Sequence, residues 1–421
     1  MSDTTTPVVD PAAPLPADLA DERLVKEKGL VGLVQASWHR IRGGELGSLP
    51  VIVGLIVISL VFYAQDATFL SSRTLVNITL FAAPIGIIAI GVVLVLLLGE
   101  IDLSVGSVSG LSAAVMAVLL TRQDQSLVVS ILAALAVGLV IGIVYGLLYT
   151  RVGVPSFVIT LAGLLGFLGL QLVVLGDQGT INLPSNSALL EFARASFLSP
   201  VISYVLVLVV SALYAVSQVL RIRRRVAADL SAPSYLGVAI RTGLMAVGLG
   251  YLAYYLNIDR GIGYLFLLFV VLVVVMDLVL RRTRWGRHVY AVGGNEEAAR
   301  RSGIKVNFIY MSVFALTGFF SALGGILAAA QLTSVSQASG GTDTNLTAIA
   351  AAVIGGTSLF GGRGTAYAAL LGIIVLQSIQ TGLNVIGVDS SVRYMVTGAV
   401  LLLAVSIDSV SRRARTSSGR G

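Results

Sequence analysis

Twelve apolar runs set the pattern of this chain, at 49–64, 75–98, 104–120, 127–150, 156–175, 201–220, 242–257, 262–280, 308–332, 346–360, 365–383 and 394–407. Most approach the ~20 residues a helix needs to cross a bilayer. Barrel strands would read as alternating segments of ~10 residues, and these runs are too long and too continuous for that. The run at 242–257 is the weakest, and Tyr251, Tyr254 and Tyr255 in it suit an interface anchor. The pattern predicts an all-α, polytopic helical transmembrane protein of about 12 membrane segments, broken helices included, in two related halves.

Polar stretches divide the rest. Residues 1–46 form a cytoplasmic tail, 47–410 the transmembrane domain and 411–421 a cytoplasmic C-terminal tail. The first 20 residues are rich in Pro, Ala, Asp and Thr and predict disorder. Over 21–42, charges mix with Leu24, Leu30, Leu33, Val34 and Trp38, a spacing that suits an amphipathic helix on the membrane surface. Lysine and arginine placement sets orientation. Arg221, Arg223, Arg224 and Arg225 mark one cytoplasmic loop; Arg281, Arg282, Arg284, Arg287, Arg300, Arg301 and Lys305 mark another. Arg412, Arg413 and Arg415 mark the C-terminus, whereas 177–200 has only Arg194 and 333–345 has none. Both termini are therefore expected inside, which an even number of spans satisfies.

Two interruptions match. Gly99-Glu100-Ile101-Asp102-Leu103-Ser104-Val105-Gly106 and Gly355-Gly356-Thr357-Ser358-Leu359-Phe360-Gly361-Gly362 both read G-x-x-x-L-x-x-G. In the predicted topology they run in the same direction, as a parallel repeat would. Broken helices at membrane depth are tolerated where they are buried in protein or line a cavity, and transporters place them at the substrate path. Glu100, Asp102 and Ser104, with Gly355, Gly356, Thr357 and Ser358, are the candidate translocation path. A carboxylate inside a span is costly and faces an aqueous path or a partner. The alternative is that both acids sit in an interfacial turn and cap the next helix.

The loop at 281–307 is soluble, basic and helix-forming. Asn295 is a good N-cap, and Glu296 and Glu297 fall in the first turn, where the dipole favours negative charge. Ala298 and Ala299 are strong helix formers, Arg300 and Arg301 fall in the last turn, and Gly303 is placed to end the helix. So short a helix is not stable alone in water, so a protein surface, its own or a partner's, must support it.

Composition narrows the classes. Hydrophobic residues make up 56% and charged residues 12%, against about a quarter charged in soluble domains. The net charge of +7 sits in loops and does not point to nucleic acid. There are no cysteines, and His39 and His288 lie far apart, so no metal centre is expected. The polar lead before Leu49 is too long for a signal peptide. No lysine among Lys26, Lys28 and Lys305 sits in a G-x-x-x-x-G-K-[ST] loop, so this chain does not hydrolyse ATP by that device. No catalytic residue and no cofactor is expected.

Three stretches, the Gly99–Gly106 run, the loop from Gly286-Arg287 to Gly293-Gly294-Asn295-Glu296-Glu297-Ala298-Ala299, and Ala350 through Gly355-Gly356-Thr357-Ser358 to Gly361-Gly362-Arg363-Gly364, resemble the sugar permeases of bacterial ATP-binding-cassette importers, the ribose, galactose and xylose group. The resemblance covers 49–410. Gln178-Gly179-Thr180-Ile181-Asn182-Leu183-Pro184 and the added pair of spans around 221–257 look most like the xylose-type permease. Glu100 stands where these permeases commonly carry a second glycine, so the backbone geometry of that turn does not simply carry over. The resemblance implies the membrane pathway for a monosaccharide, a pentose such as xylose, in the bacterial inner membrane. It implies a second copy of the chain, a cytoplasmic ATPase dimer and an extracytoplasmic sugar-binding protein as partners. Gly294, Asn295, Glu296, Glu297, Ala298, Ala299, Arg300 and Arg301 would then be the coupling segment for the ATPase. The competing class is an ion-coupled secondary sugar transporter that uses Glu100 and Asp102; it leaves the docking helix unexplained.

Overall fold

The computed structural model describes residues 49–417 except 178, 229, 231 and 233. The amphipathic segment expected at 21–42, the rest of the tail at 1–46, Gln178 and residues 418–421 lie outside the described residues. Each of the predicted runs falls on a helix. In chain order these are α1 (Leu49–Gln65), α2 (Ser72–Leu97), α3 (Val105–Thr121), α4 (Leu127–Leu147), α5 (Ser156–Leu175), α6 (Pro200–Val226), α7 (Tyr235–Asn257) and α8 (Tyr264–Arg282). The basic loop forms α9 (Arg284–Gly294) and α10 (Glu296–Arg301); then come α11 (Val306–Leu332), α12 (Thr342–Ile354), α13 (Tyr367–Val385) and α14 (Ser390–Ser417). α4 closes in a π-helical turn at Leu148–Val152. The strands β1 (Thr180–Asn182) and β2 (Ser334–Ser336) pair antiparallel, Ile181 opposite Val335.

Among the described residues, 8 helices are long and apolar enough to cross a membrane: α2, α4, α5, α6, α7, α8, α11 and α13. At 13 residues α12 is ~20 Å long, and at 17 residues α3 is ~25 Å, both short of a hydrocarbon core of ~30 Å.

The described residues divide into two compact units, 49–198 with 256–417, and 199–255. In the larger unit the core is α2 and α11. The most apolar stretch of α2 is 89% buried and that of α11 72%, against 28% for α4 and α5. α2 and α11 run antiparallel. The Thr317 hydroxyl donates to the Gly91 carbonyl at 3.0 Å, and about two turns further along α11 Gly324 lies against Ile88 and the carbonyl of Pro84. α4 packs on the other side of α11 through Gly138, Gly142 and Gly146, spaced at one helical turn. A Cβ on Gly142 would stand 2.2 Å from the Phe314 carbonyl oxygen. Small residues let membrane helices approach this closely and so gain dispersion contacts.

α2–α3 and α11–α12 share a plan: a long helix, a non-helical stretch (98–104 and 333–341), then a short helix. Because α2 and α11 are antiparallel, the relation between these pairs is inverted. The G-x-x-x-L-x-x-G spacing, which suggested a parallel repeat, straddles the α2–α3 junction in one half and the α12–α13 junction in the other. The two copies occupy non-equivalent places in these helix pairs.

In the smaller unit, α6 begins with Ser199 as cap, its hydroxyl accepting the Ile202 N–H, and Pro200 at the first position. It ends in Arg223, Arg224 and Arg225, where cations favour the dipole. α7 is the tyrosine-bearing helix, with Tyr251 stacked on Tyr255.

Candidate functional site

Non-helical backbone inside a membrane protein must find partners for its N–H and C=O groups. In the first break side chains supply them. Asp102, 4% exposed, accepts both the Ser104 N–H at 2.8 Å and the Ser104 hydroxyl at 2.7 Å. Tyr145 from α4 donates to the Ser104 hydroxyl at 2.8 Å. Asn345 from α12 donates to the Leu103 carbonyl at 2.5 Å, and Thr160 from α5 reaches the Ile101 carbonyl. Asp102 is thus a backbone partner in the turn before α3, whose N-cap is Ser104. Glu100 behaves differently: it accepts from Tyr149 at 2.7 Å and from Ser156, at the start of α5, at 2.5 Å.

The second break, 333–341, is held the same way. Gln171 of α5, fully buried, donates to the carbonyls of both Ser336 and Ser339 at 3.0 Å. The stretch then lies along α3: a Cβ on Gly106 would stand 2.7 Å from the Gly340 carbonyl oxygen. The starts of α3 and α12 therefore meet.

A cavity of about 290 Å³ opens where they meet. Pro84, Ile85 and Ile88, from the middle of α2, form one wall. Ser109, Ser339, Thr344, Gln331, Gln377 and Gln380 give it hydroxyl and carboxamide groups, and no ionisable side chain lines it. A second cavity of about 430 Å³ shares Ile85, Thr344 and Gln380 and carries Asp343, Asn384, Arg393 and Tyr394. Tyr394 donates to Asp343 there at 2.6 Å.

The basic loop meets the far ends of these elements. α9 is amphipathic, burying Val289 and Val292. Its Tyr290 hydroxyl donates to the Gly364 carbonyl at 2.9 Å; burial pushes that hydroxyl above its ordinary range and keeps it a donor. Gly293 lies so close to the first turn that a Cβ would stand 1.8 Å from the Leu97 carbonyl oxygen. The Gly362 N–H donates to that same carbonyl at 2.8 Å, and Gly361 packs on Gly99, which has φ +81°. The end of α9, the turn after α2 and the turn after α12 thus close on one another through glycines.

α10 follows at once. Asn295 caps it by accepting the Ala298 N–H at 2.9 Å, and Gly303 leaves it at φ +80°. Glu296 pairs with Arg300 and Glu297 with Arg301, four residues apart. Ala299 is buried and Glu296 half-buried, while Gly294, Asn295, Glu297, Ala298, Arg300 and Arg301 are exposed. Its own chain supports one face and leaves the other open.

Of the predicted path residues, Glu100, Asp102 and Ser104 lie in the first break, and Gly355, Gly356, Thr357 and Ser358 in the turn after α12. None lines either cavity. Gly355 is a close approach to α13, since a Cβ would stand 1.9 Å from the Ala368 carbonyl oxygen. Gly356 has φ +101° with open space around it, and the buried Thr357 hydroxyl has no hydrogen-bond partner among the described residues. Sequence reasoning missed Gln171, Asn345, Gln377 and Gln380. An amide inside an apolar run was the available signal, because burying one without a partner is costly.

Comparison with known proteins agrees with this architecture. A family model described as branched-chain amino acid transport system / permease component matches residues 74–405. The xylose transport system permease protein XylH of Escherichia coli (strain K12) is 35% identical over 364 residues, 86% of this chain and 92% of that protein. XylH of Haemophilus influenzae is 34% identical over 372 residues, 87% and 98% of the two chains. The ribose import permease protein RbsC of Bacillus subtilis (strain 168) is 31% identical over 365 residues, 87% and 94%. No solved structure matches. A match over most of the chain shows that it belongs to the family of branched-chain amino acid transport system permease components.

Proposed function

We propose that this chain is the pathway subunit of an ATP-driven importer for a neutral sugar, a pentose such as xylose. The observation that carries this is the junction of α9–α10 with the turns after α2 and after α12. An exposed helical face is joined, through glycine contacts, to the elements that frame the mid-span cavity. Such a joint suits a partner that pushes. The relatives are named for xylose and ribose, and the smaller cavity, mainly apolar with a few hydroxyl and carboxamide groups and no ionisable side chain, suits a neutral solute better than a zwitterionic amino acid. The sugar passes the meeting point of α3 and α12, with the turns at Glu100–Ser104 and Gly355–Ser358 toward the cytoplasmic end of its path. A cytoplasmic ATPase dimer docks on the exposed face of α10, a second copy of the chain completes the pathway, and an extracytoplasmic binding protein delivers the sugar. Both termini face the cytoplasm, in the bacterial inner membrane.

The test is reconstitution with the ATPase and binding protein in proteoliposomes. Uptake of labelled xylose, ribose and leucine is compared for the unmodified chain and for Glu297→Arg with Ala298→Asp. Those two residues are exposed, so the change costs the chain only the surface pair of Glu297 with Arg301 and leaves its buried packing alone. The unmodified chain is expected to take up pentose, and the variant to lose both ATPase co-purification and uptake. Leucine uptake without pentose uptake, or full coupling in the variant, refutes the proposal.

A further inference from the structure

Glu100 is the acid of the first break whose carboxylate turns away from the break's own backbone. One oxygen accepts from the Tyr149 hydroxyl at 2.7 Å, the other from Ser156. Tyr149 sits in the π-helical turn that ends α4, a local widening frequent at functional sites. Its ring packs on Tyr310 of α11, centroids 4.6 Å apart. The Tyr310 hydroxyl donates to Glu296, the first residue of α10, at 3.2 Å. The other oxygen of Glu296 takes Arg300 at 2.5 Å. A continuous path of packed rings and hydroxyl–carboxylate bonds therefore joins α10 to the start of the first break, on a different route from the glycine junction at Gly293.

We propose that Tyr149 and Tyr310 are positioning residues for coupling: they transmit displacement of α10 to Glu100, and through Glu100 to the break before α3. This rests on α10 being the face on which the ATPase docks. A simple structural brace would need neither hydroxyl, since the rings alone fill the space between α4 and α11. The hydroxyls matter because they tie the rings to carboxylates at opposite ends, one on the moving helix and one at the break. A partner that captures Arg300, or shifts α10, alters the hold of Glu296 on Tyr310. The change reaches the Glu100–Ser156 contact with no loop in between. The worth of such a path is read by mutating its middle and measuring coupling.

The experiment uses the assembled importer in proteoliposomes with Tyr149→Phe, Tyr310→Phe and the double variant. ATPase co-purification, thermal unfolding, and hydrolysis with and without sugar-loaded binding protein are measured. The expected result is normal assembly and unfolding, with the stimulated-to-basal ratio of hydrolysis reduced at least about fivefold in each single variant. The double variant should be no worse than either single one, because both cut the same path. An unchanged ratio in both single variants overturns the inference. So does a fall that tracks loss of assembly or of thermal stability, which is the mark of a brace. If Glu297→Arg with Ala298→Asp also leaves coupling intact, the docking assignment fails. If that change uncouples while the tyrosine variants do not, the relay alone fails.

Discussion

Gly142 gives the sharpest test of how this membrane core is held. It lies at the centre of the α4–α11 contact, where a Cβ would come within 2.2 Å of the Phe314 carbonyl oxygen and 2.7 Å of Ala315 Cα. Ordinary contact begins near 3.4 Å, so Gly142→Ala forces the two helices apart locally by about 1.2 Å (3.4 less 2.2). The obstacle is backbone and cannot rotate away. Overpacking of this kind costs about 1–3 kcal/mol, and the separation forfeits dispersion along the neighbouring Gly138 and Gly146 contacts as well. Gly166 on α5 is the control: nothing stands within 4 Å of its Cβ position, so Gly166→Ala should be neutral or gain up to about 1 kcal/mol in helix propensity. Both variants are unfolded by stepwise SDS addition from mild detergent, followed by circular dichroism. Gly142→Ala should unfold at clearly lower SDS than the unmodified chain, and Gly166→Ala at the same or higher. Equal midpoints for the two would refute the claim that glycine approach sets this interface. Since Tyr149 follows on the same face of the helix, two turns from Gly142, the stacking with Tyr310 should loosen too, and coupling should fall with stability.

Asn345→Ala leaves the Leu103 carbonyl without its donor inside the protein, which should cost about 1–3 kcal/mol. The same SDS titration checks this, and a midpoint equal to that of the unmodified chain would show that water or another donor takes its place. The chain has no cysteine, so Ser185→Cys and Ser302→Cys, both at exposed positions, report sidedness cleanly. An impermeant thiol reagent on intact cells should label the first and spare the second until the membrane is opened; the reverse would invert the topology.

The spans were legible because hydropathy over ~20 residues is a strong signal. α10 was legible almost residue by residue: Asn295 as cap, Glu296 and Glu297 early, Arg300 and Arg301 late, Gly303 after the end. Each is a local preference and needs no knowledge of the fold. α9 runs through both Gly293 and Gly294, and close approach to Leu97, not chain reversal, requires a glycine at Gly293. The second break at 333–341 looked like an external loop because its partners are remote: Gln171 lies 165 positions before Ser336, and Gly106 is more distant still. Tyr149 and Tyr310 were hidden for a different reason. Aromatic residues near the ends of apolar runs are common interface anchors, and only the fold shows that these two meet. The inverted relation of α2–α3 to α11–α12 was masked by a chance-prone glycine spacing.

The contact between Asn345 and Leu103 also sets a schedule. The two residues are 242 positions apart, so the Leu103 carbonyl is made long before its donor exists. At 5–20 residues per second of synthesis, the interval is roughly 12–48 s. Over that time α2 and α3 sit in the translocation machinery or the bilayer with the junction between them incomplete. The break before α3 is therefore among the last features of the core to be fixed. A chain truncated before α12 should hold that segment in whatever arrangement satisfies its backbone locally.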